Sequence, residues 1–208
     1  MNEVFSDKVQ KQIEEGIEII RKGGVVVFPT DTVYGLGAGA YIESAIERIF
    51  KVKQRPPEMA LPILISSVAQ VHEIALDVPS YGWRLIKEFF PGGLTLVVFR
   101  GRAVKDIITG GGDTVAIRMP DHPVPVALIR GSGMPIVGTS ANLSGQSNLL
   151  TMEGIREQIG GKVDLIIEGG PAPLGTESTV VDVTGEFPVI LREGAISRSE
   201  LERVIQFA

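Results

Sequence analysis

The chain has 208 residues, 44% of them hydrophobic, and a formal net charge of −5. That is enough apolar side chain for one large domain with a substantial core, and the acidic balance speaks against a protein whose main task is to coat nucleic acid. With no cysteine and only His72 and His122, disulfides, thiolate nucleophiles and histidine-rich metal centres are excluded, so a metal would be a hard cation held by oxygens.

Val9, Ile13, Ile17 and Ile20 recur at helical spacing behind Asp7 and Gln10, which read as a capping pair, and Gly23-Gly24 supplies the stop. Val25 to Phe28 then forms a strand that Pro29 ends, because proline cannot donate to a ladder. Thr30, Asp31 and Thr32 sit at that strand end. Gly35, Gly37 and Gly39 would let a ligand approach the backbone, although a plain glycine-rich turn into the next helix explains the segment equally well. A helix over Ile42 to Lys53 turns Ala45, Ile46, Ile49 and Phe50 inward, and a short strand covers Pro62 to Ile65. Ser67 and Gln70 have capping-box spacing for a further short helix. Pro79-Ser80 opens a helix through Phe89, Pro91-Gly92-Gly93 ends it, and Leu94 to Phe99 is a strand.

Strands follow at Thr114 to Ile117, Pro135 to Gly138, Asp164 to Ile167, Thr179 to Val183 and Val189 to Leu191. Helices lie near Val124 to Ile129, Met152 to Ile159 and Ser197 to Ile205, the last opened by a Ser197–Glu200 capping box. The alternation predicts a three-layer α/β domain over residues 1–208, with a mixed sheet because strands neighbour one another late in the chain. No linker or repeat divides it. No apolar stretch approaches the roughly 20 residues of a membrane helix. Met1 to Lys11 is polar and unlike a signal peptide, so the expected location is cytoplasmic with no membrane partner.

Lys51, Lys53 and Arg55 put three cations into five residues before Pro56-Pro57. Favourable charge at a helix C-terminus accounts for them at about 0.3 to 1 kcal/mol each. A phosphate clamp is the sharper reading, since Arg matches phosphate oxygens bidentately and Lys acts as a point charge. Arg118 projects from the end of a strand, where a structural salt bridge and a ligand carboxylate are equally good accounts. The segment Gly138 to Gly145 ends another strand in hydroxyls and an amide, able to face anionic oxygen or simply to form a turn. Glu177-Ser178-Thr179 precedes one strand and Arg192 follows another. The common NTPase phosphate loop, the dinucleotide fingerprint, the hydrolase nucleophile elbow and the zinc-protease motif are all missing. His72 reads as a surface helix residue, and His122 as a residue that fixes the Pro-Asp-His-Pro turn.

Seven ordered blocks closely resemble the YrdC/Sua5 family over nearly the whole chain. They are Pro29 to Gly37, Lys53 to Pro56, Pro91 to Thr95, Val115 to Arg118, Thr139 to Gly145, Glu177 to Asp182 and Ile190 to Gly194. The resemblance implies a twisted mixed sheet flanked by helices (YrdC/RibB-like) around a basic concave pocket. It also implies a nucleotidyltransferase activity, threonylcarbamoyl-AMP synthesis. L-threonine, bicarbonate or CO2, and ATP with its Mg2+ would give threonylcarbamoyl adenylate and pyrophosphate. The product would pass to the tRNA threonylcarbamoyl-transferase complex for t6A modification; weak contact with tRNA or other RNA is left open.

Carried over by residue, the resemblance makes Lys53 and Arg55 triphosphate ligands and catalytic cations. Thr32 and Arg118 become threonine-site residues, with Arg118 on the carboxylate. Thr114, Ser140, Asn142 and Arg192 become nucleotide contacts, with Ser140 and Ser178 also near the amino acid. The chain departs from the family at Met59-Ala60-Leu61, where relatives often carry Asn-Pro-Leu, and at Leu64, where some carry histidine. It resembles the short, single-domain form. Two other readings are a nonenzymatic RNA or ribosome-associated module and a carbamoyl adenylate enzyme with a different acceptor; the Ser140 to Gly145 block favours threonine. No general base is identifiable from the sequence.

Overall fold

The computed structural model describes residues 5–149, 151–169 and 174–207. Within them the strands are β1 (Val26–Phe28), β2 (Gly35–Gly39), β3 (Ile63–Leu64), β4 (Ala75–Asp77), β5 (Leu94–Arg100), β6 (Thr114–Arg118), β7 (Ile136–Ser140), β8 (Leu165–Ile166), β9 (Thr179–Asp182) and β10 (Val189–Arg192). The helices are α1 (Asp7–Arg21), α2 (Glu43–Lys53), α3 (Val71–Ile74), α4 (Ser80–Phe89), α5 (Asp106–Thr109), α6 (Pro123–Ser132), α7 (Met152–Ile159) and α8 (Arg198–Glu202). The strands form one sheet in the order β10-β9-β5-β6-β3-β7-β2-β1-β8, with β4 added on β5. Pairs β1/β8, β3/β6 and β5/β9 are parallel and the others antiparallel, so the sheet is mixed, as the sequence predicts. No helix among the described residues is long and apolar enough to cross a membrane.

Strand β1 is buried on both faces, which is why the sequence shows a continuous apolar run there and not an alternating one. Val25 and Val27 pack into one core and Val26 and Phe28 into the other. The first core lies under α2, α4, α7 and α8, through side chains such as Ile46, Ile49, Leu85, Ile155 and Leu201. The second is smaller. There α1 and α6 lay Val9, Ile13, Ile20, Val124 and Leu128 over Val26, Phe28, Leu64 and Ile136.

These two helices cover only part of their face. The register places Val97 opposite Ala116 and Thr95 opposite Val180, on the same side as Leu64 and Arg118. Val97, Ala116 and Val180 are half-buried and Phe99 is exposed. The third layer is therefore incomplete over β6, β5 and β9, which leaves that half of the sheet face open.

Residues 35–39, for which the sequence left open a ligand-approach segment or a glycine-rich turn, form strand β2, paired antiparallel with β1 and β7. Gly35 and Gly37 lie against the Phe28 ring, and a Cβ at either position would come within 2.8 Å of it. The glycines accommodate an aromatic ring within the sheet, and the tight connection from β1 to β2 carries Thr30 to Thr32. Other differences are local. The α1 cap is Ser6, whose hydroxyl accepts from Val9 N at 3.4 Å, and not Asp7. Gln70 accepts from Ser66 N at 2.8 Å and does not complete a box with Ser67. Strand β7 runs on to Ser140, α8 stops at Glu202, and β4 and α5 are short elements without a periodic signal. The Ser197–Glu200 capping box is present. His122 caps α6, its Nδ1 accepting from Val124 N at 3.2 Å, and His72 lies against Trp83 with centroids 5.0 Å apart.

Gly37→Ala sets a new Cβ 2.7 Å from Ile136 Cγ2 and 2.9 Å from the Val137 carbonyl as well as against Phe28. The expected cost is about 1 to 3 kcal/mol, read by urea denaturation. A change below about 0.5 kcal/mol, the scale of ordinary surface substitutions, would show that Phe28 moves aside freely.

Candidate active site

Mixed pairing brings strand ends of both directions to one edge. The C-terminal ends of β3, β6 and β10 meet the N-terminal ends of β5 and β9 there, while the C-terminal ends of β1 and β7 and the N-terminal end of β2 lie toward the opposite edge, and the antiparallel β3/β7 pair joins the two sets across the open sheet face. Hydroxyls and cations that follow or precede those strands line a cavity of about 200 Å³. Its polar lining comprises Thr30, Thr32, Arg55, Thr95, Arg118, Thr139, Ser140, Glu177, Ser178 and Arg192, with Val33, Pro62 and Leu64 as its apolar wall.

Arg118 is the buried anchor, 7% exposed. Its Nη1 donates to Thr32 Oγ1 at 2.7 Å, its Nη2 to the Asp31 carboxylate at 2.6 Å and its Nε to the Gly92 carbonyl at 3.0 Å. A guanidinium carries five N–H groups, so two remain for a ligand. Burial pulls its pKa down, the Asp31 charge opposes that, and Arg192 adds to the lowering. The salt bridge that the sequence left as one account of Arg118 thus exists, and it leaves capacity for the other.

The turn that carries Thr32 is made by Thr30. Its Oγ1 accepts from the Thr32 and Val33 amides at 3.2 and 3.3 Å and donates to the Val33 carbonyl at 2.6 Å. Local hydroxyl-to-backbone bonding of this kind fixes a turn without help from a sheet. Gly175 N donates to the Thr32 carbonyl at 2.7 Å, tying the segment ahead of β9 to the same turn. At the start of β9, Ser178 and Thr95 share a hydroxyl bond of 2.7 Å. Arg192 grips this corner, donating through Nε to the Ser178 carbonyl at 3.1 Å, through Nη2 to Ser178 Oγ at 3.2 Å and through Nη1 to Glu177 Oε2 at 2.5 Å.

Arg55 follows α2 after Gln54, which turns the chain with a left-handed φ of 52°. It donates to the carbonyls of Met59 at 3.3 Å and Ala60 at 2.8 Å, and burial lowers its pKa. Two residues earlier, Lys53 is 1% exposed and is not among the residues lining the cavity. Its ammonium donates to the Ser140 carbonyl at 2.5 Å, the Asn142 carbonyl at 2.7 Å and Asn142 Oδ1 at 3.2 Å. Three N–H groups meet three oxygens. Burial first, then the Arg55 charge, push the Lys53 pKa down from 10.5 to about 8 against the opposing charge of Glu177, so the cation persists at neutral pH. Asn142 closes the knot, accepting from Ser140 Oγ at 2.6 Å and donating to the Gln146 carbonyl at 2.6 Å.

A family model for Sua5/YciO/YrdC, described as telomere recombination, matches residues 18–194. The chain belongs to this family. A threonylcarbamoyl-AMP synthase of Pyrococcus abyssi is 44% identical over 202 residues, covering 95% of this chain and 59% of the relative. One of Bacillus subtilis is 41% identical, over 93% of this chain and 56% of the relative. The chain thus spans a little over half the length of these two relatives. Among solved structures, P. abyssi Sua5 complexed with L-threonine aligns with a TM-score of 0.92 at 43% identity, over 98% of this chain and 59% of that one. Escherichia coli YciO aligns with a TM-score of 0.84 at 30% identity, over 92% and 93% of the two chains. Both have the twisted, helix-flanked α/β sheet described above.

Within this family member the cavity gathers Thr32, Arg55, Arg118, Ser140, Ser178 and Arg192 from the residues singled out in the sequence. Lys53 and Asn142 stand behind its wall and shape the Ser140 end of β7. Thr114 lies at the other end of β6, opposite Phe99 and four residues from Arg118, about 13 Å along the strand. Lys51 points to solvent and pairs with Glu47 at 3.9 Å. Sequence reasoning passed over Thr95, Glu177 as a lining group and Asp31 as the partner of Arg118. Thr95 alone carried a signal, as a polar residue inside the apolar run Leu94 to Phe99.

Lys53→Met keeps volume while leaving the oxygens of Ser140 and Asn142 without their cation. The expected loss is about 2 to 4 kcal/mol, because buried acceptors of a charged donor are stranded, whereas Lys51→Met stays within about 0.5 kcal/mol. The pH dependence has a definite sign. Between about 8 and 10.5 the unfolded chain keeps a proton that folded Lys53 has lost, so this group's contribution to stability rises with pH. Wild type should gain on Lys53→Met across that window in denaturation series; a gap that narrows instead would show the three oxygens outweighing burial.

Proposed function

We propose that the chain is a threonylcarbamoyl-AMP synthase, a nucleotidyltransferase that joins L-threonine, CO2 or bicarbonate, and ATP into threonylcarbamoyl adenylate and pyrophosphate for tRNA t6A modification. One observation carries this reading: a cavity of about 200 Å³ that places the guanidinium of Arg118 beside Thr32, with Arg55 and Arg192 among its other lining groups. Drug-sized ligands fill pockets of about 300 to 1,000 Å³. The cavity therefore suits one amino acid, with the nucleotide laid outside it along the open half of the sheet. The P. abyssi relative complexed with L-threonine supports the same occupant.

The chemistry asks for positioning and charge, and these residues supply both. Threonine's neutral amine takes up CO2 with loss of a proton, or bicarbonate with loss of water, to give a carbamate. A carbamate oxygen attacks the α-phosphorus in line as pyrophosphate leaves, and no covalent bond to the protein is required. Arg118 fixes the amino-acid carboxylate, and Thr32, Ser140 and Ser178 offer hydroxyls to the remaining polar atoms. Arg55 and Arg192 neutralise charge that develops on the phosphates, the contribution through which preorganised cations accelerate phosphoryl and nucleotidyl transfer. Among the described residues no three His, Cys, Asp or Glu side chains converge as a metal site, so Mg2+ belongs to this scheme as part of the MgATP substrate.

Purified chain should release pyrophosphate from MgATP only when L-threonine and bicarbonate are both present; equal release without threonine rejects the reading. Arg55→Ala should lower kcat/KM by the equivalent of about 2 to 5 kcal/mol with little change in Tm. Retained turnover with a sharp fall in Tm would confine Arg55 to holding its loop.

A further inference from the structure

We infer, on the amino-acid reading above, that Glu177 receives the α-ammonium group of the substrate and so sets the preference of the site for a zwitterion. Among the described residues that line the cavity it is the one carboxylate, set against Arg55, Arg118 and Arg192. A site for anions alone is weakened by such a group, since like charges repel the ligand. Stability gives little reason for it either. The Arg192–Glu177 pair is 45% and 33% exposed, a setting in which ion pairs contribute little.

The geometry leaves the group available. Oε2 accepts from Arg192 Nη1 at 2.5 Å, while Oε1 has no hydrogen-bond partner among the described residues. The Glu177 charge also reaches inward, where it opposes the lowering of the Lys53 pKa. Arg118 ends β6 and Glu177 precedes β9, the two strands flank β5, and the register that sets Leu96 opposite Ile117 and Thr95 opposite Val180 brings Arg118 and Glu177 to the same end of the sheet from different strands. Both side chains line the same cavity of about 200 Å³, a volume on the scale of one amino acid. Recognition is the role assigned here.

Calorimetric titration of the full chain without ATP tests this, using L-threonine and 3-hydroxybutanoate, which keeps the skeleton, hydroxyl and carboxylate but lacks the amine. Wild type should bind threonine at least 10-fold more tightly than 3-hydroxybutanoate. Glu177→Gln should weaken threonine about 10- to 100-fold, the range for a hydrogen bond to a charged group, and leave 3-hydroxybutanoate unchanged; in turnover, KM for threonine rises while KM for ATP holds. If the variant binds threonine as wild type does, or loses both ligands equally, the inference is overturned and Glu177 serves only to hold Arg192. Wild type that binds neither ligand rejects the amino-acid reading, and the inference with it.

Discussion

The ammonium of Lys53 sits where water cannot solvate it, so its charge has to be met by oxygens, and it meets three, from Ser140 and Asn142. A buried cation without such partners would cost several kcal/mol. That requirement fixes the last turn of α2 against the last residue of β7, and Ser144 N returns a bond to the Lys53 carbonyl at 3.0 Å. A helix of one layer and a strand of the sheet are thereby locked at the rim of the cavity. The orientation of Ser140, whose hydroxyl is held by Asn142, follows from the lock.

Around this anchor the charges are arranged in advance of any ligand. Asp31 answers Arg118 and Glu177 answers Arg192, while among the described residues Arg55 is held only by carbonyl oxygens. Each guanidinium is oriented by groups that are themselves fixed, through the Thr30 turn, the Ser178–Thr95 pair or the loop after α2. Oriented charge of this sort needs no reorganisation when a polyanion arrives, which is the condition for electrostatic stabilisation.

Much of this was legible in the sequence, and the misses have identifiable causes. The run Val25 to Phe28, the strand ends that carry Arg118 and Ser140, and the capping box at Ser197 are local signals, and local physics settled them. Strand β2 was not legible because glycines have no side chain with which to show a period. Their reason is the Phe28 ring, met only once the hairpin closes. The three cations near the end of α2 could have been separated beforehand, since residues two apart on a helix do not share a face; Lys51 accordingly faces solvent and Lys53 the interior. Asp31 and Glu177 became visible as partners only when the β1–β2 connection was brought to the end of β6 and β10 was set beside β9, because their partners lie 87 and 15 residues away in the chain.

The grip of Arg55 on its loop has a consequence for how that loop can vary. Arg55 takes hold of main-chain oxygens at positions 59 and 60, and every amino acid, proline included, supplies the same carbonyl. The Met59-Ala60 pair of this chain and the Asn-Pro that the resemblance to the family leads one to expect there would thus be alternative coverings of one backbone socket. The side chains at the rim can be rewritten, changing what a passing macromolecule would touch, while the cation beneath keeps its place.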